Sequence, residues 1–341
     1  DESGPIQPEC RSLDSVNVLS SGFRRAQSGG LTTLNLMSGS GHLLSGQTVY
    51  VKLRGGKTIE DIAYYFPDGS IMGGVKMANG TNSQRSAPFP GTRGKSAALV
   101  RDMFVKALDY KAKIERAAGD PEKMPDRDLG LETVLDILSG KKIVHHHTHR
   151  HDDIMTVLRL QREFGFRVVL HHVSEAWKIA DEIAAAKAPC SIIIVDSPGG
   201  KIEALEVDFK TGGVLEKAGV NVAIHTDDWI TDSRLFLRDA ALCVRAGMSR
   251  EGALRALTLA GAEMLDLQDR VGSLKVGKDA DIVILSGDPL SVYTRVEQTW
   301  VEGNKVFDLE NPEDRLFAEG GYGAGSDIKP FLCCQHPEGR Q

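Results

Sequence analysis

Five imidazoles and two carboxylates fall within the nine residues His145-His146-His147-Thr148-His149-Arg150-His151-Asp152-Asp153. The whole chain has ten histidines, so half of them stand here. Imidazole is the commonest metal ligand among side chains and titrates near neutrality, so such a concentration serves metal binding or proton transfer. The run follows a strand-like lead, Lys142-Ile143-Val144, and precedes a helical pattern from Ile154 to Leu160. That internal position sets it apart from a terminal affinity tag. In a parallel α/β fold the loop after a strand's carboxyl end is where chemistry sits.

The same edge recurs. The strand pattern Arg167 to His172 ends in two imidazoles, and Asn221 to His225 runs directly into Thr226-Asp227-Asp228. Ile71 to Met77 carries Lys76 near its carboxyl end. His147, His172 and Asp227 brought to one mouth would offer nitrogen and carboxylate ligands with a coordination position left for water. A metal lowers the pKa of such a water, and a nearby carboxylate can accept its proton. Each residue alone has a structural alternative. A strand-end histidine can be a hydrogen-bonded helper, Asp227 and Asp228 can cap a helix, and Lys76 can be an ion-pair partner. Recurrence at one edge favours the chemical reading.

The elements that must hold these groups alternate. Strand patterns at Leu31–Met37, Thr48–Leu53, Ile71–Met77, Lys142–His147, Arg167–His172, Cys190–Val195 and Asn221–His225 are separated by helical ones. The helical stretches are Ile59–Phe66, 92–117, Leu131–Leu138, 152–164, Glu175–Ala186 and Ile202–Gly219. This βαβα order predicts a parallel sheet with helices outside it. Polar groups at several strand ends favour a (β/α)8 barrel over an open sheet, whose site would gather at one switch point. Three more helices are expected between Leu235 and Leu265. Short strands follow at Ile282–Leu285 and Thr299–Val301, with Gly303-Asn304 as a hairpin turn into Lys305-Val306-Phe307. The expected division is a barrel over 1–267, a small β element over 268–308 and an irregular tail over 309–341.

Composition narrows the partners. A net charge of −6 argues against nucleic acid, which favours a basic surface. No apolar run approaches the ~20 residues of a membrane span. The five cysteines, Cys10, Cys190, Cys243, Cys333 and Cys334, form neither a disulfide framework nor a zinc knuckle. Cys190 and Cys243 read as core residues, and Cys333-Cys334 as exposed. The Gly/Ser stretch Ser38–His42 lacks the Lys-Ser/Thr ending of a phosphate loop. A chain opening on Asp1 suggests a trimmed or truncated N-terminus, so the lack of a visible signal peptide leaves the compartment open.

Several stretches together resemble the metal-dependent amidohydrolases of the imidazolonepropionase-like and Xaa-Pro-dipeptidase-like branch. They are Gly74 through Asn82, His147-Thr148-His149-Arg150-His151-Asp152-Asp153-Ile154, Leu170-His171-His172 and Thr226-Asp227. The passage from Ala240 through Arg250 to Asp281-Ile282-Val283-Ile284-Leu285-Ser286-Gly287-Asp288-Pro289 is the most specific, and the likeness runs over residues 18–308. The resemblance implies a TIM-like barrel that holds one or two divalent metals, usually zinc, and hydrolyses an amide or cyclic-amide C–N bond. In it His147 and His172 match metal ligands of the fifth and sixth strands. Asp227 matches the eighth-strand carboxylate that both touches metal and carries the proton. Lys76 matches the fourth-strand position that some members fill with a carbamylated, metal-bridging lysine. His149 and Arg150 match substrate-contacting positions. The implied substrate is a small amide, cyclic amide or dipeptide, and a homo-oligomer is compatible with the reading.

Three departures stand out. The family's first-strand His-x-His pair should precede residue 18, yet no histidine occurs before His42. The first barrel strand and half of the accompanying β-sandwich are therefore expected to be missing, leaving a sandwich remnant at the C-terminus. Such a chain would expose two strand edges and be prone to aggregate. Close relatives carry Glu where this chain has Thr81. Arg150 replaces the Glu of the deaminases' His-x-x-Glu pattern, which lowers deamination against amide hydrolysis. A catalytically inactive amidohydrolase-like barrel or fragment, binding a ligand or partner, is the alternative reading.

Overall fold

The computed structural model describes residues 3–195, 201–228 and 230–320. Eleven strands are found there: β1 Thr33–Leu36, β2 Leu44–Gln47, β3 Val49–Lys52, β4 Val75–Ala78, β5 Val144–Thr148, β6 Val168–His172, β7 Cys190–Ile193, β8 Val222–His225, β9 Ile282–Leu285, β10 Val296–Val301 and β11 Asn304–Asp308. Six form the central sheet in the order β2-β4-β5-β6-β7-β8. β2 pairs antiparallel with β4, and every later pairing is parallel. The sheet is therefore mixed, with β2 and β8 at the two ends of its order.

Each parallel step is crossed by helix, as the alternating pattern predicts. Arg93–Ala117 and Leu129–Leu138 lie between β4 and β5, His151–Phe164 between β5 and β6, Ala180–Ala185 between β6 and β7, and Thr211–Lys217 between β7 and β8. These helices bury apolar stripes against the sheet. Val100, Phe104 and Ala107 of the first join Val134 and Ile137 of the second and Val157 of the third in one core with Val75, Val144 and Leu170 of the strands. Phe104 anchors that layer, its ring 4.9 Å from Phe164 and 5.4 Å from Phe166. Asp152 and Asp153 stand in the first turn of His151–Phe164, where the helix dipole favours negative charge. Gly165, with φ 76°, ends it in the left-handed conformation that glycine adopts cheaply.

The structure shortens three expected helices. Glu175–Ala186 resolves into a 3-10 turn, Ala176–Lys178, and the helix Ala180–Ala185. Ile202–Gly219 resolves into the turn Ile202–Ala204 and the helix Thr211–Lys217. Ile59–Phe66 keeps only Ile59–Ile62, opened by a capping box between Thr58 and Asp61. The expected strand Leu31–Met37 contributes β1, which pairs with β3 in a separate two-stranded antiparallel sheet.

β9, β10 and β11 make a third, antiparallel sheet. Its hairpin turn is Glu302-Gly303, one residue earlier than expected. Val301 pairs with Asn304, and both turn residues have positive φ, 52° and 77°, as a two-residue type I′ turn requires. Contacts distant in sequence tie this sheet to the N-terminal segment. Thr299 Oγ1 donates to the Gln27 carbonyl at 2.7 Å, and Gln27 Nε2 donates to the Leu53 carbonyl at 2.9 Å. Lys52 of β3 is buried between Asp279, Asp281 and Glu302.

The irregular course expected from residue 309 is interrupted by a helix, Pro312–Glu319, with Asn311 as N-cap and Pro at its start. It packs on Ser21–Ser28 through Arg24–Asp314 and a Ser28 Oγ bond to the Phe317 carbonyl. Cys190 and Cys243 are buried free thiols and Cys10 is exposed. Cys333, Cys334 and the rest of the expected tail lie outside the described residues. Among those residues no helix is long and apolar enough to cross a membrane.

Candidate metal centre

The carboxyl ends of β5, β6 and β8 gather six histidines, His145, His147, His149, His171, His172 and His225, into one polar patch inside an otherwise apolar sheet. Every residue of β5 is buried. Strand alternation sends His145 and His147 to one face and His146 to the other. Accordingly His146 turns toward Val100 and Leu160 of the helix layer, while its Nδ1 lies 2.9 Å from the His147 carbonyl. β6 breaks the alternation. His172 and Val173 have φ 70° and 46°, a left-handed stretch that costs a non-glycine residue energy and is concentrated at functional sites. The break lets the rings of both His171 and His172 reach His225, at centroid separations of 5.3 and 4.8 Å.

The rings form two hydrogen-bonded chains. Tyr50 Oη lies 2.9 Å from His145 Nε2, whose Nδ1 lies 3.1 Å from His171 Nε2. Ser191 Oγ lies 2.9 Å from His225 Nδ1, whose Nε2 lies 3.0 Å from His172 Nδ1. His147 sits between His149 and His172, with centroids 4.7 and 4.4 Å away. Its Nε2 is buried and has no hydrogen-bond partner among the described residues.

Electrostatics keeps these rings neutral. Burial pushes His145, His146 and His149 down to about 3. His147, His171 and His172 fall well below the ordinary value, first through burial and then through neighbouring imidazoles. Burial also takes His225 down, to about 4, although Asp227 opposes it. Neutral imidazole is the form that ligates metal. Lys76, also buried, is lowered to about 8 by burial, with Asp227 raising it and Lys201 lowering it. Its ammonium donates to Met37 Sδ at 3.3 Å.

The sequence-predicted residues divide. His147 and His172 meet. Lys76 lies on the adjacent strand, where β4 pairs Lys76 with His145 and Ala78 with His147. Asp227 is exposed just beyond β8 with φ 49°, and its charge acts on Lys76, His225 and Lys201. His149 is buried in the cluster, Nδ1 2.7 Å from Ser174 Oγ and Nε2 3.3 Å from Lys201 Nζ. The Arg150 guanidinium is instead held by Asp152 through two bonds of 2.9 Å.

Six participants were not singled out in the sequence: Tyr50, Ser174, Ser191, His225, Lys201 and Glu203. His225 stood at a strand end and was legible in principle. Glu203 opens the stretch expected to be helical but lies in the three-residue turn Ile202–Ala204, away from any strand end. Its Oε2 accepts the backbone N–H of Thr81, the position where the resemblance expects a glutamate, at 2.8 Å. Donor atoms of His147, His149 and Glu203 lie within 4.8 Å of one another. A cavity of about 1220 Å³ opens beside the cluster, with Lys76, His172, His225 and Asp227 in its wall alongside apolar Leu36 and Met37.

Comparison with known proteins bears on this arrangement. Residues 109–307 match the sequence profile of the amidohydrolase family. The chain is 25% identical over 363 aligned positions to the amidohydrolase tasK of Hapsidospora irregularis, covering 98% of this chain and 36% of that protein. It is 38% identical over 90 positions to the imidazolonepropionase of Bacteroides thetaiotaomicron, covering 25% of this chain and 21% of that protein. The crystal structure of an amidohydrolase from Thermotoga maritima MSB8 aligns with a TM-score of 0.84 at 32% identity, over 90% of this chain and 80% of that one. The chain thus spans less than half the length of these two curated relatives.

Proposed function

The chain belongs to the amidohydrolase family, in its imidazolonepropionase-like branch, and from that premise we propose that it hydrolyses the C–N bond of a small amide, cyclic amide or dipeptide with the help of one or two divalent cations of the zinc class. The six-stranded sheet is read as the wall of a TIM-like barrel over residues 1–267, with strand carboxyl ends at its mouth, and residues 268–308 as a separate β element. The observation that carries the proposal is the buried, unpartnered His147 Nε2 among neutral imidazoles. A buried ring nitrogen without a partner is costly, and a cation is the partner that a neutral imidazole suits.

His147 and His172 would hold the cation, with Asp227 as carboxylate ligand and Lys76 beside them. When bound, the cation would polarise the scissile carbonyl and bring a water's pKa toward neutrality. The protein's own groups then manage the protons. Asp227 takes a proton from the attacking water as the new C–O bond forms, and delivers it to the departing nitrogen as the C–N bond breaks. The Ser191–His225–His172 chain fixes the ring orientation of His172, as outer partners of ligating histidines do. Burial lowers the Lys76 amine to about 8. A share of it is therefore neutral around that pH, the form able to take up carbon dioxide as a carbamate. His149 and Arg150 keep the substrate-side roles that the resemblance implies, with His149 the nearer to the cluster. The cavity suits a small molecule.

One observation favours the second reading, a barrel that has lost its chemistry and binds a ligand or partner. The Lys201 ammonium already stands 3.3 Å from His149 Nε2. A panel of cyclic amides and Xaa-Pro dipeptides separates the two. The proposal expects hydrolysis that chelation abolishes and zinc restores. Hydrolysis that persists through chelation, or none across the panel from zinc-loaded protein, would contradict it.

A further inference from the structure

Glu203 is 3% exposed, in a turn that no strand end announces. Burying a carboxylate is unfavourable unless donors or cations compensate each oxygen. One oxygen is compensated. Oε2 accepts the Thr81 N–H at 2.8 Å and lies 3.8 Å from the Arg93 guanidinium. The backbone at Gly80 closes on it: a β-carbon there would stand 2.5 Å from Oε2, and φ is 80°, so both space and conformation require glycine. The other oxygen, Oε1, is buried with no hydrogen-bond donor among the described residues. Its nearest cation, Lys201 Nζ, is 3.8 Å away, beyond hydrogen-bond reach.

Two buried polar atoms therefore lack a hydrogen-bond partner among the described residues, Glu203 Oε1 and His147 Nε2. They belong to residues that, with His149, bring donor atoms within 4.8 Å of one another. Two imidazoles and a carboxylate are also the ligand set that a catalytic zinc site uses while leaving one position open. We propose that Glu203 is a metal ligand which, with His147 and His149, holds a divalent cation of the zinc class. The inference rests on the reading that this face of the sheet carries a metal, and it moves His149 from the substrate side to the ligand side. Lys201 is then the competitor. Its ammonium occupies the His149 lone pair and must release it when the cation enters.

The test uses the full chain, freed of metal and titrated with cobalt(II), whose visible absorption reports ligand number and geometry. Glu203→Gln keeps the side-chain volume and an acceptor for the Thr81 amide but removes the charge. It is expected to weaken cobalt binding by about 10–100-fold and to alter the absorption, with the circular dichroism unchanged. Lys201→Met is expected to tighten binding several-fold, because it removes a positive charge beside the incoming cation. Wild-type affinity and spectrum in E203Q would overturn the assignment of Glu203 while leaving the metal site standing. No cobalt uptake by the wild-type chain would remove the metal site itself. Should E203Q fail to fold, unchanged affinity in K201M overturns the proposal.

Discussion

Asp227→Asn is expected to lower kcat/KM for C–N hydrolysis by about 10²-fold or more, the lower bound of what a positioned acid–base group contributes. The substitution is nearly isosteric, and the site is chosen so that folding is not the variable. Asp227 is exposed and holds a left-handed backbone, φ 49°, which asparagine adopts as readily as aspartate. What changes is charge and basicity. The carboxylate can take a proton from water, and the amide cannot. The loss also propagates. Asp227 raises the proton affinity of Lys76, Lys201 and His225, so its neutralisation lets burial lower all three further. The measurement is steady-state kinetics on a substrate drawn from the panel, with a thermal melt of both proteins. An unchanged kcat/KM with an unchanged melt would exclude Asp227 as the proton carrier.

Lys52→Met is expected to destabilise the chain by about 3–5 kcal/mol, the loss typical of removing one partner from a buried ion pair. The lysine is 1% exposed and faces Asp279, Asp281 at 3.2 Å and Glu302 at 3.7 Å. Burial pulls its pKa down, but the Asp279 bond and the neighbouring charges hold it above the ordinary value. Methionine restores the apolar stem and leaves the carboxylates facing one another. Asp281, 7% exposed at its side chain, is the one least able to turn to water. Because Lys52 is on β3 and its partners flank β9 and β10, the loss falls on the join between the N-terminal segment and the third sheet. Urea unfolding checks it. A midpoint equal to the wild type's would mean that water and Arg270, already 2.9 Å from Asp279 and 3.7 Å from Glu302, compensate the carboxylates, and that the join does not depend on Lys52.

What the sequence could reveal of this arrangement followed from local period. β5 to β8 were legible because runs such as Val168-Val169-Leu170 and Cys190-Ser191-Ile192-Ile193 are buried on both faces and carry no helical period. His147 and His172 were legible because a strand end fixes where a side chain lands, and their rings stand 4.4 Å apart. β2 was not legible. Leu44-Ser45-Gly46-Gln47 reads as loop, and Gly46, with φ 107°, abuts the Cys10 carbonyl in a bulged pairing with β4 that only the tertiary fold specifies. Glu203 was hidden for a similar reason. Thr81, which it bonds, and His147, whose donor atom comes within 4.8 Å, are remote in sequence, and nothing in Ile202-Glu203-Ala204 marks a carboxylate that will be buried. Arg150, beside the imidazoles in sequence, is claimed by Asp152 two residues away. Proximity in sequence overstated its part.

The central claim is that the imidazoles of β5 and β6 hold a metal. Elemental analysis of the purified full chain, prepared with zinc supplied and loosely bound metal removed by gel filtration, tests it most directly. The account predicts one or two equivalents of zinc per chain, falling when His147 is replaced by alanine. Less than a tenth of an equivalent under those conditions would contradict it.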